Sequence, residues 1–137
     1  MSVNTVEFMQ SFNTNVERTK KNYDQAFRAM ALQLFGSIIT RTPVDEGRAR
    51  GNWQVTINSP ANGELETTDK GGQRTLATGS RSIASRTGEQ VLYFTNNLPY
   101  IQRLENGWSQ QAPSGMVRVT LTEFEAALRK AASEVNK

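Results

Sequence analysis

From about Asn4 to Thr40, apolar residues return every three or four positions: Phe8, Phe12, Val16, Tyr23, Phe27, Met30, Leu34 and Ile38. That spacing lines one face of a helix, with Glu17, Arg18, Lys20, Lys21, Asp24 and Arg28 left to face solvent. Asn4 followed by Glu7 has the spacing of a capping arrangement. A helix this long outruns a small sheet, so residues 1–20 are expected to project as an arm. Exposed Phe8, Phe12 and Val16 on such an arm mark a partner surface. Elsewhere the period drops to two. Trp53, Val55 and Ile57 alternate with polar neighbours as a half-buried strand does, and Val91 to Thr95 is the clearest strand, β-branched and aromatic. Val117, Val119 and Leu121 alternate in the same way and predict a third strand over Met116–Leu121.

Between and after the strands the helical rhythm returns. Leu98, Ile101, Leu104 and Trp108 predict a short helix near Pro99–Asn106, with Pro99 suited to a first turn and Gly107 to a left-handed stop. Ala112-Pro113-Ser114-Gly115 is a second turn. Thr122 with Glu125 has capping-box spacing, and Phe124, Leu128, Ala131 and Val135 form a narrow stripe on a C-terminal helix. The elements add up to an α+β fold. A small antiparallel sheet is packed by a long N-terminal helix and a C-terminal helix, with a long flexible loop between strands.

That loop is expected over residues 58–88, where Gly, Ser, Thr, Asn, Asp and Pro dominate, save for a short helical turn at Ser80–Ser85 around Ile83. Its few apolar residues do not offset the backbone entropy of ordering, so it is expected to order on assembly. Gly71-Gly72 lacks the rest of a phosphate-binding loop, which removes nucleotide binding.

At 137 residues the chain is expected to form a single domain, 1–137. It has no cysteine, hence no disulfide framework and no thiolate chemistry, and no histidine, hence no usual general base or zinc ligand. The net charge of +3 permits contact with phosphate or an acidic partner and demands neither. No apolar run approaches the ~20 residues of a membrane span and the start shows no signal-peptide pattern, which implies a soluble protein made without that export route.

Two stretches stand apart as motifs. The first is Thr42-Pro43-Val44-Asp45-Glu46-Gly47-Arg48-Ala49-Arg50-Gly51-Asn52-Trp53. The second runs from Asn96 to Val117 and contains Asn96-Asn97-Leu98-Pro99-Tyr100, Leu104-Glu105-Asn106-Gly107-Trp108-Ser109 and Pro113-Ser114-Gly115-Met116. In that order they resemble the tail-completion (head–tail joining, or neck) proteins of long-tailed bacteriophages, from the first helix to Thr120. Glu46 stands where a small hydroxyl residue is common in the family, and Asn106 where an aromatic is common. The resemblance implies a structural virion protein, assembled in the host cytoplasm and located in the tail or neck. It would complete the tail and join it to the head connector as a homo-oligomeric, hexameric ring. It also implies tail terminator or tail tube proteins and head connector proteins as partners, with no membrane. Pro43, Asp45, Gly47, Trp53, Tyr100, Glu105, Gly107, Trp108, Pro113 and Gly115 match its motifs. Gly47 and Gly107 are expected to hold backbone angles poorly open to other residues, and Trp53 and Trp108 to be largely buried.

Three classes of function are weighed. As an assembly protein, the chain offers Phe8, Phe12 and Val16 on the arm and Arg48, Arg50, Arg74, Arg81 and Arg86 as contacts between subunits. The plainer reading of Asp45, Arg48 and Arg50 is that Asp45 caps the turn while the arginines pair locally. As a nucleic-acid module, it would use the basic run from Lys70 to Arg86, which contains no acid, against DNA in a channel; no reader motif accompanies that run. As an enzyme, it would pair Glu105 with Asp45 or Glu46, the minimum for glycoside hydrolysis. The ordinary reading of Glu105 is a carboxylate that bonds backbone N–H groups or an arginine where a helix ends. The expectation is therefore a non-enzyme with no catalytic residue, metal ligand or cofactor.

Overall fold

The 37-residue helix α1, Thr5–Arg41, is the longest described element, and α3 and α5 pack against it. The computed structural model describes the backbone of residues 5–135 and the side chains of residues 22–127 and Arg129. The Asn4 cap, the Phe8, Phe12 and Val16 contacts, and Leu128, Ala131 and Val135 lie outside the described residues or side chains. Among the described residues α1 is succeeded by four further helices and two strands: α2 Arg48–Gly51, β1 Gln54–Ile57, α3 Gln73–Ser85, β2 Leu92–Thr95, α4 Ile101–Glu105 and α5 Val117–Val135. The fold is α+β, as the periodicities predict.

The buried face of α1 is turned by about one residue from the predicted stripe. Ala31, Phe35, Ile38 and Ile39 are buried, whereas Leu34 is half-buried and Tyr23 is 62% exposed. The reason is that α1 is flanked on two sides, by α3 and by α5, rather than laid flat on a sheet. Phe35 has no exposed surface and packs its ring 5.1 Å from that of Phe94 on β2. α3 crosses at Gly79, where any side chain would overlap the Phe35 ring, so the absence of a Cβ sets the helix separation. Trp53, Ile83, Ala112 and Met116 complete the core.

The sheet has two antiparallel strands, with Gln54 opposite Thr95 and Ile57 opposite Leu92. The third predicted strand, Met116–Leu121, is a correction: Val117 opens α5. Alternation over so few residues fits a helix too, because Met116 and Thr120 are buried four apart. Thr122 consequently lies inside α5 and bonds the carbonyl of Arg118 at 2.9 Å instead of capping a helix start.

The second correction concerns residues 58–88. Thirteen of them form α3, which buries Thr75, Gly79 and Ile83 at steps of four. The predicted turn at Ser80–Ser85 is the last part of this helix. Small residues can pack a helix closely without giving an apolar signal, and here Gly79 replaces bulk with proximity. α3 therefore has packed contacts within the chain itself, against α1 and β1.

Candidate functional site

The first motif folds around the end of α1. Pro43 prevents the helix from continuing, leaving terminal carbonyls without partners. Arg50 takes up two of them: Nε donates to the Thr42 carbonyl at 3.0 Å and one terminal nitrogen to that of Thr40 at 2.8 Å. Its other terminal nitrogen reaches the Lys70 carbonyl at 2.8 Å. A guanidinium here also complements the negative end of the helix dipole. The Trp53 indole N–H donates to the Thr42 hydroxyl at 2.8 Å, and that hydroxyl donates to the Ile38 carbonyl at 2.6 Å. Trp53 is 7% exposed, as predicted.

Gly47 has φ +87°, and a Cβ there would lie 2.5 Å from the Lys70 nitrogen. This is the predicted special angle, and close backbone approach is its purpose. The Gly47 carbonyl accepts the Asp69 N–H at 2.9 Å. Asp69, which sequence reasoning missed, then starts α3: its carboxylate accepts the Thr75 N–H and hydroxyl, each at 2.8 Å, and the Gly72 N–H at 3.1 Å. Desolvation raises the Asp69 pKa, but the hydrogen bonds from Thr75, Gly72 and Arg74 outweigh it and hold it below the ordinary carboxylate value. The available signal was an Asp before Gly71-Gly72 with Leu76 and Ile83 seven apart behind it. Asn52, also missed, has no exposed surface. It donates to the Arg48 carbonyl and accepts the Leu65 N–H, stitching the intervening chain to the motif.

The second motif is held by Glu105, at the end of α4. One carboxylate oxygen accepts the N–H groups of Met116 at 2.8 Å and Val117 at 2.9 Å, and the other accepts that of Arg118 at 2.9 Å. A negative side chain thus fills the positive end of α5. Glu105 bonds backbone N–H groups, as its ordinary reading had it. Gly107 has φ +88° and packs against the Pro113 carbonyl so closely that a side chain would overlap it. Gly115, at φ +91°, does the same against the Glu105 carbonyl.

Trp108 is a correction. It is 73% exposed, not buried. Its N–H closes onto the Arg103 carbonyl at 3.1 Å as a helix stop requires, but the next turn leads its side chain outward. The indole faces the Arg103 guanidinium at 5.2 Å.

The two motifs are clamped together. Gln111 accepts the Val44 N–H at 2.8 Å and donates to the Val44 carbonyl at 3.0 Å, while Asn96 donates to the Ala49 carbonyl at 2.9 Å. Between them lies an open cleft of about 460 Å³, lined by Val44, Asp45, Glu46, Tyr100, Leu104 and Ser109 among others. Asp45 and Glu46 are exposed at its edge. The carboxylate that organises this turn region is Asp69 rather than Asp45.

The arginine candidates divide. Arg48 is exposed and pairs locally with Glu64 at 3.0 Å. Arg74 and Arg81 are exposed on α3. Arg50 is consumed by backbone carbonyls. Arg86 is 4% exposed, lies 3.9 Å from the Phe27 ring centroid and bonds Asp24 and the Gln90 carbonyl. Arg86 is thus an internal fastener, and the donors of the half-buried Arg50 are engaged within the chain.

Comparisons with protein-family models, with curated proteins and with solved structures found no match.

Proposed function

We propose that this chain is a tail-completion, or head–tail joining, protein of a long-tailed bacteriophage. It acts as a structural ring at the head-proximal end of the tail or at the neck, where it caps the finished tail and presents a surface to the head connector. The identity comes from the resemblance of the two motifs. The observation that supports it most is that these motifs, separated by more than forty residues, are clamped side by side through Gln111 and Asn96. Their glycines, carboxylate and prolines are spent on shaping one rigid junction, with a solvent-facing tryptophan at its edge. A ring subunit needs such a rigid body to fix the angle between neighbours, since small angular errors accumulate around a closed ring.

The alternative use of residues 70–86 against DNA keeps Lys70, Arg74 and Arg81 on the surface but loses Arg86 to the interior. Non-specific contact with DNA in the channel is a secondary part of the proposal. Among the described residues, no helix is long and apolar enough to cross a membrane.

The experiment is deletion in the parent phage. It is expected to leave filled heads and full-length tails that fail to join, with joining restored by the purified chain. Normal particles without the chain refute the proposal.

A further inference from the structure

Two Asn-Gly pairs occur in the chain, Asn62-Gly63 and Asn106-Gly107, and both asparagines are exposed. Glycine has no Cβ to shield its backbone nitrogen or restrict its angles, so in this dipeptide that nitrogen readily reaches the preceding side-chain amide. The fold treats the two pairs differently. Asn106, at φ −86° and ψ 10°, ends α4, and the Gly107 N–H donates to the Leu104 carbonyl at 3.1 Å. Gly107 is also pressed against the Pro113 carbonyl. Its nitrogen is bound and has no room to move.

Asn62 and Gly63 lie outside any helix or strand, and Gly63 is exposed with φ +77°. Among the described residues its N–H has no hydrogen-bond acceptor, and nothing stands within 4 Å of where a Cβ would be. The neighbouring carbonyls, by contrast, are fastened. Asn97, in the second motif, donates through its side-chain nitrogen to the Ala61 carbonyl at 2.9 Å and the Gly63 carbonyl at 3.0 Å. Gln54 on β1 donates to the Gly63 carbonyl at 3.1 Å. Asn62 is the free tip of a bend whose two shoulders are pinned. Asn58, before Ser59, does not share that freedom, because its side-chain oxygen accepts the Val91 N–H at 3.0 Å.

We propose that Asn62 is a site of self-modification, at which the Gly63 nitrogen displaces the side-chain amide in the folded chain while Asn106 stays intact. The Gly63 nitrogen loses its proton to solvent base and attacks Cγ of Asn62. A bond from that nitrogen to Cγ forms, the Cγ–Nδ2 bond breaks, and Nδ2 takes up a proton and leaves as ammonia. Nothing is oxidised or reduced. Water then opens the cyclic imide at one of its carbonyls. Breaking the new bond at Cγ gives aspartate. Breaking the original bond at the main-chain carbonyl gives isoaspartate, whose backbone runs through Cγ and is one carbon longer. Either product places a carboxylate two residues from Glu64, the partner of Arg48, and lowers the net charge of +3 by one. Isoaspartate does more. Its longer backbone lies between the two carbonyls that Asn97 holds, so the clamp from the second motif to this bend must yield on one side.

The test ages the full, folded chain in mildly alkaline buffer and follows the exchange of amide for acid by peptide mass spectrometry. Trypsin cuts after Arg50, Lys70, Arg103 and Arg118, which places the two pairs in separate peptides, 51–70 and 104–118. Digestion under mildly acid conditions and a sample taken before ageing remove conversion caused by handling, and electron-transfer fragmentation separates isoaspartate from aspartate. Asn62 is expected to convert roughly tenfold faster than Asn106, about the factor that one retained hydrogen bond amounts to. In urea the two rates are expected to converge. Asn62→Gln, whose longer side chain closes the ring poorly, should end the conversion in peptide 51–70. Hydrogen exchange around position 62 should quicken in the aged wild-type chain and not in aged Asn62→Gln. An Asn62 that converts no faster than Asn106 in the folded chain overturns the proposal. So does a preference that persists unchanged in urea, because it would belong to the local sequence rather than to the fold. Isoaspartate at position 62 with unchanged exchange would overturn the part assigned to the Asn97 clamp.

Discussion

Trp53 and Trp108 stand behind nearly the same local signal, Gly51-Asn52-Trp53 and Asn106-Gly107-Trp108, each closing a short helix. Each junction also has a carboxylate that starts the next long helix: Asp69 for α3 and Glu105 for α5. Yet one indole is 7% exposed and the other 73%. After Trp53 the chain enters β1, which pairs with β2 over the core, and the indole N–H finds the Thr42 hydroxyl at the end of α1. After Trp108 the chain makes a tight turn, Gly107 lies against Pro113, and the exposed ring faces the Arg103 guanidinium. The same turn chemistry thus serves the interior at one junction and the surface at the other. The path of the chain beyond each tryptophan makes the difference.

The largest expected effect separates the two rings. Trp53→Ala should lower the stability of the chain by ~3–5 kcal/mol, because a buried aromatic and its hydrogen bond are both lost. Trp108→Ala should change it by less than about 0.5 kcal/mol. Denaturant unfolding of the two variants checks this, and equal losses would break the comparison.

Smaller, and confined to the second junction, is the effect of Glu105→Gln. The amide keeps one acceptor where the carboxylate has two, and it removes the charge from the start of α5. A loss of about 1 kcal/mol is expected, with faster hydrogen exchange at Met116, Val117 and Arg118 and little change around Trp53. Exchange spread evenly through the chain would show that the two junctions are not separate.

The smallest effect belongs to the first junction and depends on pH. The folded pKa of Asp69 lies below its unfolded value, so its contribution to stability is fully present above that unfolded value and is lost as pH falls through the folded one. Asp69→Asn should flatten the acid side of the stability curve and leave its shape near neutrality unchanged. An acid limb of unaltered slope would assign that dependence to other groups.

The legible parts of the fold are those where bulk and spacing coincide. The second half of α1, β1 and β2 carry bulky apolar residues at regular spacing, and they form where expected. The same is true of Glu105, whose position at a helix end before two glycine turns announces a backbone acceptor. α3 was hidden because it packs through Gly79 and Thr75, which do not register as apolar, and because Gly71-Gly72 resembles the start of a loop rather than the approach to a helix. The start of α5 was hidden because Val117, Val119 and Leu121 satisfy a strand over three alternations, and only Glu105, twelve residues before Val117, decides for the helix. Arg50 and Arg86 look like surface charges in the sequence. Their partners include the carbonyls of Thr40 and Lys70 and the carboxylate of Asp24, which no local pattern brings together. The exposure of Trp108 was equally illegible, since it depends on the open space beyond the Gly107 turn.

The most direct measurement is high-resolution electron microscopy of the head–tail junction in the intact particle. The expected result is a closed ring of this chain between tail and head connector, with Trp53 inside each subunit. A neck that lacks this chain would contradict the proposal.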